Sequence, residues 1–392
     1  MPTQQDKLEE FRTHVRTWLA ENCPPSMRTP GDITELVRGG SQQVFPNPES
    51  KVWLERMVAQ GWTVPQWPEQ YGGAGLNAAE AAVLQEELTS INARSALQSL
   101  DTIMIGPLLL ECGTTYQKEK FLRPIARGDI LWCQGYSEPG AGSDLASLRT
   151  SAERVGDQYV INGAKIWTSY AHYADWMFCL VRTDKDAPKH QGISFLLIDM
   201  ASPGISASPI HLISGHSPFC EVHFDNVEVP ASHLVGELND GWRLAKRLLE
   251  LERTMIAGIG EAELGGDGLR LDKLLKAYPA ASAHDNPRSS VATQQINDDA
   301  FRLLARRAEE SDEQALLASA MKYCGTELNK QRLEIALSIV GTQALAWTGE
   351  SSTEAELALT RDWLRSKANS IEGGSSEIQL NVIAKRILGL PD

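Results

Sequence analysis

A glutamate on the apolar face of a helix is the first residue in this chain whose position points to chemistry. In LLELERTMIAG (248–258) and its surroundings, Ala245, Leu248, Leu249, Met255, Ile256 and Ile259 fall on one stripe at helical spacing, and Glu252 lies in its middle. Glu250 and Arg253 fall off that stripe. A carboxylate centred on an apolar face is costly to bury and is driven toward its neutral form. Two readings fit it: half of a buried ion pair with an Arg or Lys, or a general base suited to a weakly acidic proton. Three other stretches have a composition suited to ligands. CQGYSEPGAGSDLAS (133–147) combines Gly140 and Gly142 with the hydroxyls of Ser137 and Ser143. It is either an ordinary turn or a cradle of backbone amides for a polar ring edge or a phosphate. NGAKIWTSYAHYADW (162–176) sets Trp167 beside Thr168 and Ser169. The indole either fills a sheet core or stacks on a planar heteroaromatic whose edge the hydroxyls bond. SIEGGSSEIQ (370–379), rich in Gly and Ser between two glutamates, reads as pocket lining.

The elements that must hold these residues change character twice along the chain. From residue 5 to about 125 the periodicity is helical, as in AAEAAVLQEELTSI and IMIGPLLLECG, with Gly and Pro clusters between. From about 131 to 235, QYVINGAKIWTS, WMFCLVRTD, GISFLLIDM and CEVHFDNVEVP are short apolar or alternating runs bounded by turn residues and predict strands. Helices are predicted again over 241–262, 293–309, 312–348 and 353–369, and 275–290 is expected to be an exposed loop. Helices, strands, helices is an α+β plan. It divides into a helical domain (1–128), a middle β domain (129–237) and a C-terminal helical domain (238–392).

Composition excludes several classes of function. The 392 residues carry a formal charge of −14, which repels nucleic acid as a principal partner. No apolar run is long enough for a membrane span, and MPTQQDKLEEFRTHVRTWLAENC has no signal-peptide core, so a cytoplasmic location is expected. The six cysteines (Cys23, Cys112, Cys133, Cys179, Cys220, Cys324) have no CxxC spacing and predict reduced thiols, with no disulfide frame or zinc site. His172, His211 and His223 lack metal-ligand spacing, and Tyr170 and Trp176 are expected in the core.

Taken together, Ser-Glu-Pro-x-x-Gly-Ser-Asp followed by Lys-x-Trp-Thr-Ser resembles the acyl-CoA dehydrogenase family. The resemblance extends through GWTVPQWPEQYGGAG and NDGWRLAKRLLELER to IEGGSSEIQLNVIAKRILGLP, nearly the whole chain. It implies a flavoprotein with an N-terminal helical domain, a middle β-barrel-like domain and a C-terminal four-helix bundle. It implies FAD, an acyl-CoA substrate, an electron-transfer flavoprotein, and either a homotetramer or an α2β2 heterotetramer with a paralogous subunit. Gln134, Gly135, Ser137 and Ser143 then lie along the flavin and the acyl-CoA entrance, with Ser143 counted in both sites. Trp167 flanks the isoalloxazine, Thr168 and Ser169 donate to its edge, and Ser375 and Glu377 reach the cofactor. Arg253 and Gly373 border the CoA ester.

The chain also departs from the family. Many members carry their base in a C-terminal Tyr-Glu-Gly-Thr segment, where Gly373 stands here with Glu372 just before it. A second group carries the base on a bundle helix, and the resemblance to that group makes Glu252 the catalytic base. The Arg-x-x-Phe-Gly segment that grips the FAD pyrophosphate of a neighbouring subunit has no match in GLRLDKLLKAYPAASAHDNPRSS, and Gly-Gly-x-Gly is reduced to IVGTQALAWTG. A partner of a different type supplying those contacts is one account. Other readings on the same scaffold are a flavin monooxygenase or desulfinase-like enzyme, or a non-catalytic partner subunit.

Overall fold

The computed structural model describes residues 3–29, 35–251, 269–279, 287–309, 314–348 and 352–391. Six helices come first: α1 (Gln4–Asn22), α2 (Pro48–Ala59), α3 (Ala78–Ser90), α4 (Leu100–Ile103), α5 (Ile105–Cys112) and α6 (Thr115–Arg127). Their starts follow from local chemistry. Thr3, Asn77 and Thr114 each accept a hydrogen bond from the first turn of α1, α3 and α6, and Asp6, Glu80 and Gln117 reach back to complete capping boxes. Gly128, at φ 71°, stops α6 in the left-handed region.

Strands β1 (Trp132–Gly135), β2 (Ser151–Val155), β3 (Gln158–Ser169), β4 (Trp176–Arg182), β5 (Ile193–Asp199), β6 (Ile205–Pro209), β7 (Phe219–Pro230) and β8 (Leu234–Val235) form one sheet. Its order is β6-β7-β3-β2-β4-β5-β8, with β1 added parallel to β4. The strands β4 and β5 are buried along nearly their whole length, which is why they read as continuous apolar runs. On one face Met177, Cys179, Val181, Leu196 and Ile198 join Ile161, Val222 and Val227 in a core. On the other, Phe178 and Phe195 stack with their ring centroids 6.1 Å apart. From α6, Phe121 meets Trp132 and Trp176 edge-on at 5.1 and 4.8 Å.

Helix α7 is described over 241–251, followed by α8 (Leu271–Ala277), α9 (Pro287–Glu309), α10 (Gln314–Val340), α11 (Glu354–Ser366) and α12 (Ser376–Val382). The chain separates into two compact units, 1–209 with 219–248, and 210–218 with 249–392. In the second, Leu333, Ala336 and Ile339 of α10 pack with Leu271 and Leu359, and Phe301 and Ala305 pack with Met321. In chain order, helical N- and C-terminal regions precede and follow a central sheet. Among the described residues no helix is long and apolar enough to cross a membrane.

The expected loop at 275–290 is corrected: α8 runs to Ala277 and α9 begins at Pro287. The apolar period missed the start of α9 because Arg288, Ser289, Ser290 and Ala292 are exposed there and only Val291 packs on the core of Leu333 and Ile339. Further along the helix the inner face is polar. Gln294 and Asp298 are buried there, with Gln294 bonding Asp298 at 2.8 Å and Arg332 bonding Asp298 at 3.1 Å.

The start of β1 is fixed by two carboxylates. Asp101 Oδ2 accepts from Trp132 N at 3.0 Å and Asp175 Oδ2 accepts from Leu131 N at 2.8 Å. Asp101 is only 1% exposed, and its Oδ1 has no partner among the described residues. Burial, with a smaller contribution from the Asp175 charge, pushes its carboxyl well above the ordinary 3.8, against the lowering pull of Ser99 and Trp132. The folded state therefore keeps a proton that the unfolded chain releases, and this contribution to stability is lost as pH rises above about 4 toward the folded pKa. Asp101→Asn mimics the neutral acid and has no such dependence. The stability of the native chain relative to Asp101→Asn should fall between pH 5 and pH 8, by at most about 1.4 kcal/mol per unit. Parallel melting temperatures across that range would refute the assignment.

Candidate active site

A buried lysine joins the two motifs that carry the proposed flavin chemistry. Lys165, 0% exposed, donates from Nζ to Glu138 Oε1 at 2.8 Å and to the Tyr136 carbonyl at 3.0 Å. Glu138 also accepts from the amides of Arg149 and Thr150 at 2.7 and 2.9 Å. Burial raises its pKa, but Lys165 and these donors outweigh burial and hold it below the ordinary carboxylate range. Ile166 N donates to the Ser137 carbonyl at 2.9 Å, a second tie between loop and strand. Arg182 anchors the far end of the loop through the carbonyls of Ala146 and Leu148, at 2.7 and 3.2 Å. Glu138 and Lys165 both stand within the sequence motifs, but residue type alone gives neither a role. The signal was available: Lys165 shares the inward phase of Tyr159 and Ile161 on an alternating strand.

Along this loop, Gln134 is half-buried on β1 and Ser143 is exposed. Ser137 is half-buried, and its carbonyl is the acceptor from β3. Gly135 is glycine for packing, since a Cβ there would lie 2.3 Å from Met177 Sδ. Gly140 and Gly142 are different, because an added Cβ would meet nothing within 4 Å.

The second motif lies on a distortion of β3. The ladder to β7 slips between Lys165 and Thr168, and Trp167 adopts φ 60°. The left-handed conformation costs a bulky side chain about 1–2 kcal/mol, and such strain concentrates at functional sites. Trp167 is 54% exposed, and its indole meets Phe219 edge-on at 6.1 Å. Thr168 sits opposite Cys220 and is fully buried, and its hydroxyl has no partner among the described residues. Ser169, opposite Phe219, is half-buried. An exposed flat indole beside an unsatisfied hydroxyl fits a planar heteroaromatic with a polar edge.

In the second unit, Glu372 is committed within its own neighbourhood. Its carboxylate pairs with Arg365 at 2.7 Å and accepts from Asn369 Nδ2 at 2.6 Å. Gly373 and Gly374 are left-handed, at φ 63° and 91°. Ser375 caps α12, accepting from Ile378 N at 3.4 Å, and Glu377 is exposed. Lys322, 1% exposed, donates to the carbonyls of Asn369 and Gly374 at 2.9 and 2.8 Å.

Glu252 and Arg253 lie outside the described residues. On the described part of α7, Leu244, Ala245 and Leu248 are buried, Leu249 is half-buried and Glu250 is exposed. Of the isolated histidines, His172 Nδ1 faces Cys220 Sγ at 2.9 Å and His211 Nδ1 faces Ser217 Oγ at 3.0 Å. His223 lies 3.4 Å from Glu221.

Three consecutive segments match the acyl-CoA dehydrogenase N-terminal (5–129), middle (133–227) and C-terminal (239–388) domains. The acyl-CoA dehydrogenase IpdE1 of Mycobacterium tuberculosis is 36% identical over 98% of both chains. Among solved structures, the Tcur3481-Tcur3483 steroid ACAD is 30% identical, with a TM-score of 0.75 over 100% of this chain and 99% of the other. The ChsE4-ChsE5 complex from Mycobacterium tuberculosis is 28% identical, with a TM-score of 0.72 over 100% and 98%. The chain belongs to the acyl-CoA dehydrogenase family, whose members are flavin-dependent oxidoreductases.

Two variants separate structural from ligand-directed roles. Lys165→Met leaves Glu138 buried without its counter-charge and should cost about 3–5 kcal/mol, read as a large fall in melting temperature. Adding Glu138→Gln should recover part of that loss, and a melting temperature for Lys165→Met close to the native value would refute the argument. Trp167→Gly relieves the left-handed strain while losing the Phe219 contact, two effects of about 1 kcal/mol each and opposite sign. It should leave the melting temperature of flavin-free protein within a few degrees while weakening flavin retention, and full retention would refute a ligand role for the indole.

Proposed function

We propose that the chain catalyses the α,β-dehydrogenation of an acyl-CoA thioester to the trans-2-enoyl-CoA. The observation that carries this reading is the strained, exposed Trp167 next to the unsatisfied Thr168 hydroxyl, in a chain matched to the family along its length. FAD, when bound, supplies the acceptor for the hydride that leaves the β carbon. Trp167 flanks the ring system, and Thr168 and Ser169 donate to its polar edge. Gln134, Gly135, Ser137 and Ser143 border the flavin, Ser143 also serves the acyl-CoA entrance, and Ser375 and Glu377 serve the cofactor. Glu252 takes the α-proton; an apolar helix face suits a carboxylate that must accept a weakly acidic proton. Glu372 is the poorer candidate because Arg365 and Asn369 already engage its carboxylate. Arg253 and Gly373 border the CoA ester. The domain division at 128 and 237 is proposed to follow the three matched segments.

Electrons leave to an electron-transfer flavoprotein. We propose an α2β2 assembly with a paralogous subunit over a homotetramer. The missing Arg-x-x-Phe-Gly segment and the similarity to the Tcur3481-Tcur3483 steroid ACAD and the ChsE4-ChsE5 complex both support this. The similarity to a steroid ACAD favours a polycyclic acyl group. The missing segment also favours a second reading, a non-catalytic subunit that completes a partner's site.

Glu252→Gln distinguishes the two. In the flavin-loaded, assembled enzyme, anaerobic bleaching of the flavin by the preferred acyl-CoA ester should slow by about 10²–10⁴-fold, with flavin content unchanged. Bleaching at the native rate would remove Glu252 as the base and favour the non-catalytic reading.

A further inference from the structure

The hydroxyls proposed for the flavin edge sit between two strained residues. Trp167, before Thr168 and Ser169, has φ 60°, and Tyr170, after them, has φ 53°. The left-handed conformation disfavours bulky side chains and persists only where the surroundings impose it. For Trp167 the slip against β7 imposes it. For Tyr170 the Tyr170 carbonyl accepts from Tyr173 N and Ala174 N at 2.9 and 3.1 Å, and the side chain is held by Arg38, from the N-terminal helical region. The Arg38 guanidinium lies over the Tyr170 ring, 4.5 Å from its centroid, and Nη2 donates to the Tyr170 hydroxyl at 3.3 Å. A cation on an aromatic face fixes the ring beneath it.

Arg38 is itself fixed from both sides. The Val37 carbonyl accepts from Gln98 N at 2.7 Å, and Gly40 N donates to the Gly128 carbonyl at 3.0 Å. Ser41 N donates to Asp175 Oδ2 at 3.0 Å. Gly40, at φ 103°, lies against Leu131, where an added Cβ would come within 2.8 Å of the leucine Cβ.

The chain after Tyr170 is anchored as well. Asp175 N and Trp176 N both donate to the Leu131 carbonyl, at 2.8 and 3.1 Å, where β4 begins. Peptide units are rigid, so a change of φ at Tyr170 turns the chain on one side of it relative to the other. With the later side anchored, relaxation of Tyr170 out of the left-handed region would move Thr168 and Ser169. Those two residues are held by the last two pairs of the ladder to β7, beyond its slip.

We infer that Arg38 is a positioning residue for the flavin site: it keeps Tyr170 left-handed and so aims the Thr168 and Ser169 hydroxyls. The inference rests on the flavin site proposed above, and Arg38 acts on it through Tyr170.

The test titrates FAD into the flavin-stripped, assembled enzyme and follows the visible absorption of the bound ring. Arg38→Met should raise the FAD dissociation constant about three- to tenfold, the worth of a cation on a ring. It should also shift the bound spectrum toward that of free FAD. Asn tolerates the left-handed region without outside support. In a Tyr170→Asn background, adding Arg38→Met should therefore change the dissociation constant by less than about twofold. General loosening of the N-terminal stretch would weaken binding in both backgrounds. Should Arg38→Met fail to fold, Tyr170→Leu, bulky but without a ring, should show the same deficit relative to Tyr170→Asn. Native affinity and spectrum in Arg38→Met, or an equal deficit in the Tyr170→Asn background, would overturn the inference while leaving the dehydrogenase reading intact. An assembled native enzyme that binds no FAD would overturn both.

Discussion

A lysine ammonium with no access to water must find its acceptors inside the protein, and in this chain that requirement organises the middle sheet. Lys165 is satisfied only when the loop at 133–147 brings the Tyr136 carbonyl and the Glu138 carboxylate to β3. Glu138 in turn needs the amides of Arg149 and Thr150, which fixes the loop's exit into β2. Removing either charge leaves the other buried and uncompensated, so loop and strand are held as one piece. The residues proposed to face the flavin hang from that joint. Strict alternation from Lys165 would send Trp167 inward; the slip in the ladder sends it out and turns Thr168 in.

The second unit uses the same device on a different backbone. Lys322 is buried and satisfied by carbonyls at both ends of the 369–374 segment. The carboxylates nearby are distributed among other partners: Glu327 takes Lys330 and the Ser370 hydroxyl, and Glu372 takes Arg365 and Asn369. A loop rich in glycine has high conformational entropy when unfolded. Two buried donors, Lys322 and Gln379, on its carbonyls restrict it to one arrangement. Desolvation lowers the Lys322 pKa while Glu372 and Glu327 oppose the shift.

What the sequence determined by itself is what depends on local periodicity and on residue type. Helical periodicity before residue 125 and after 240, alternation in β3 and β7, and continuous apolar runs in β4 and β5 are local patterns. They sufficed for the order of helices, strands and helices and for the position of the motifs on loops and strands. The motif residues around 137, 167 and 375 were visible because glycine, hydroxyl and indole side chains cluster there out of period. Only the tertiary structure decided the rest, because long-range partners set it. Gly135 is glycine because Met177 fills the space a side chain would take. The early start of α9 accompanies the packing of Val291 on Leu333 and Ile339 of another helix. The outward turn of Trp167 depends on a slip against β7, and the engagement of Glu372 depends on Arg365 on α11. A period of 2 or 3.6 residues records which way a side chain faces along its own element. It does not record which residue, tens or hundreds of positions away, will be there to meet it.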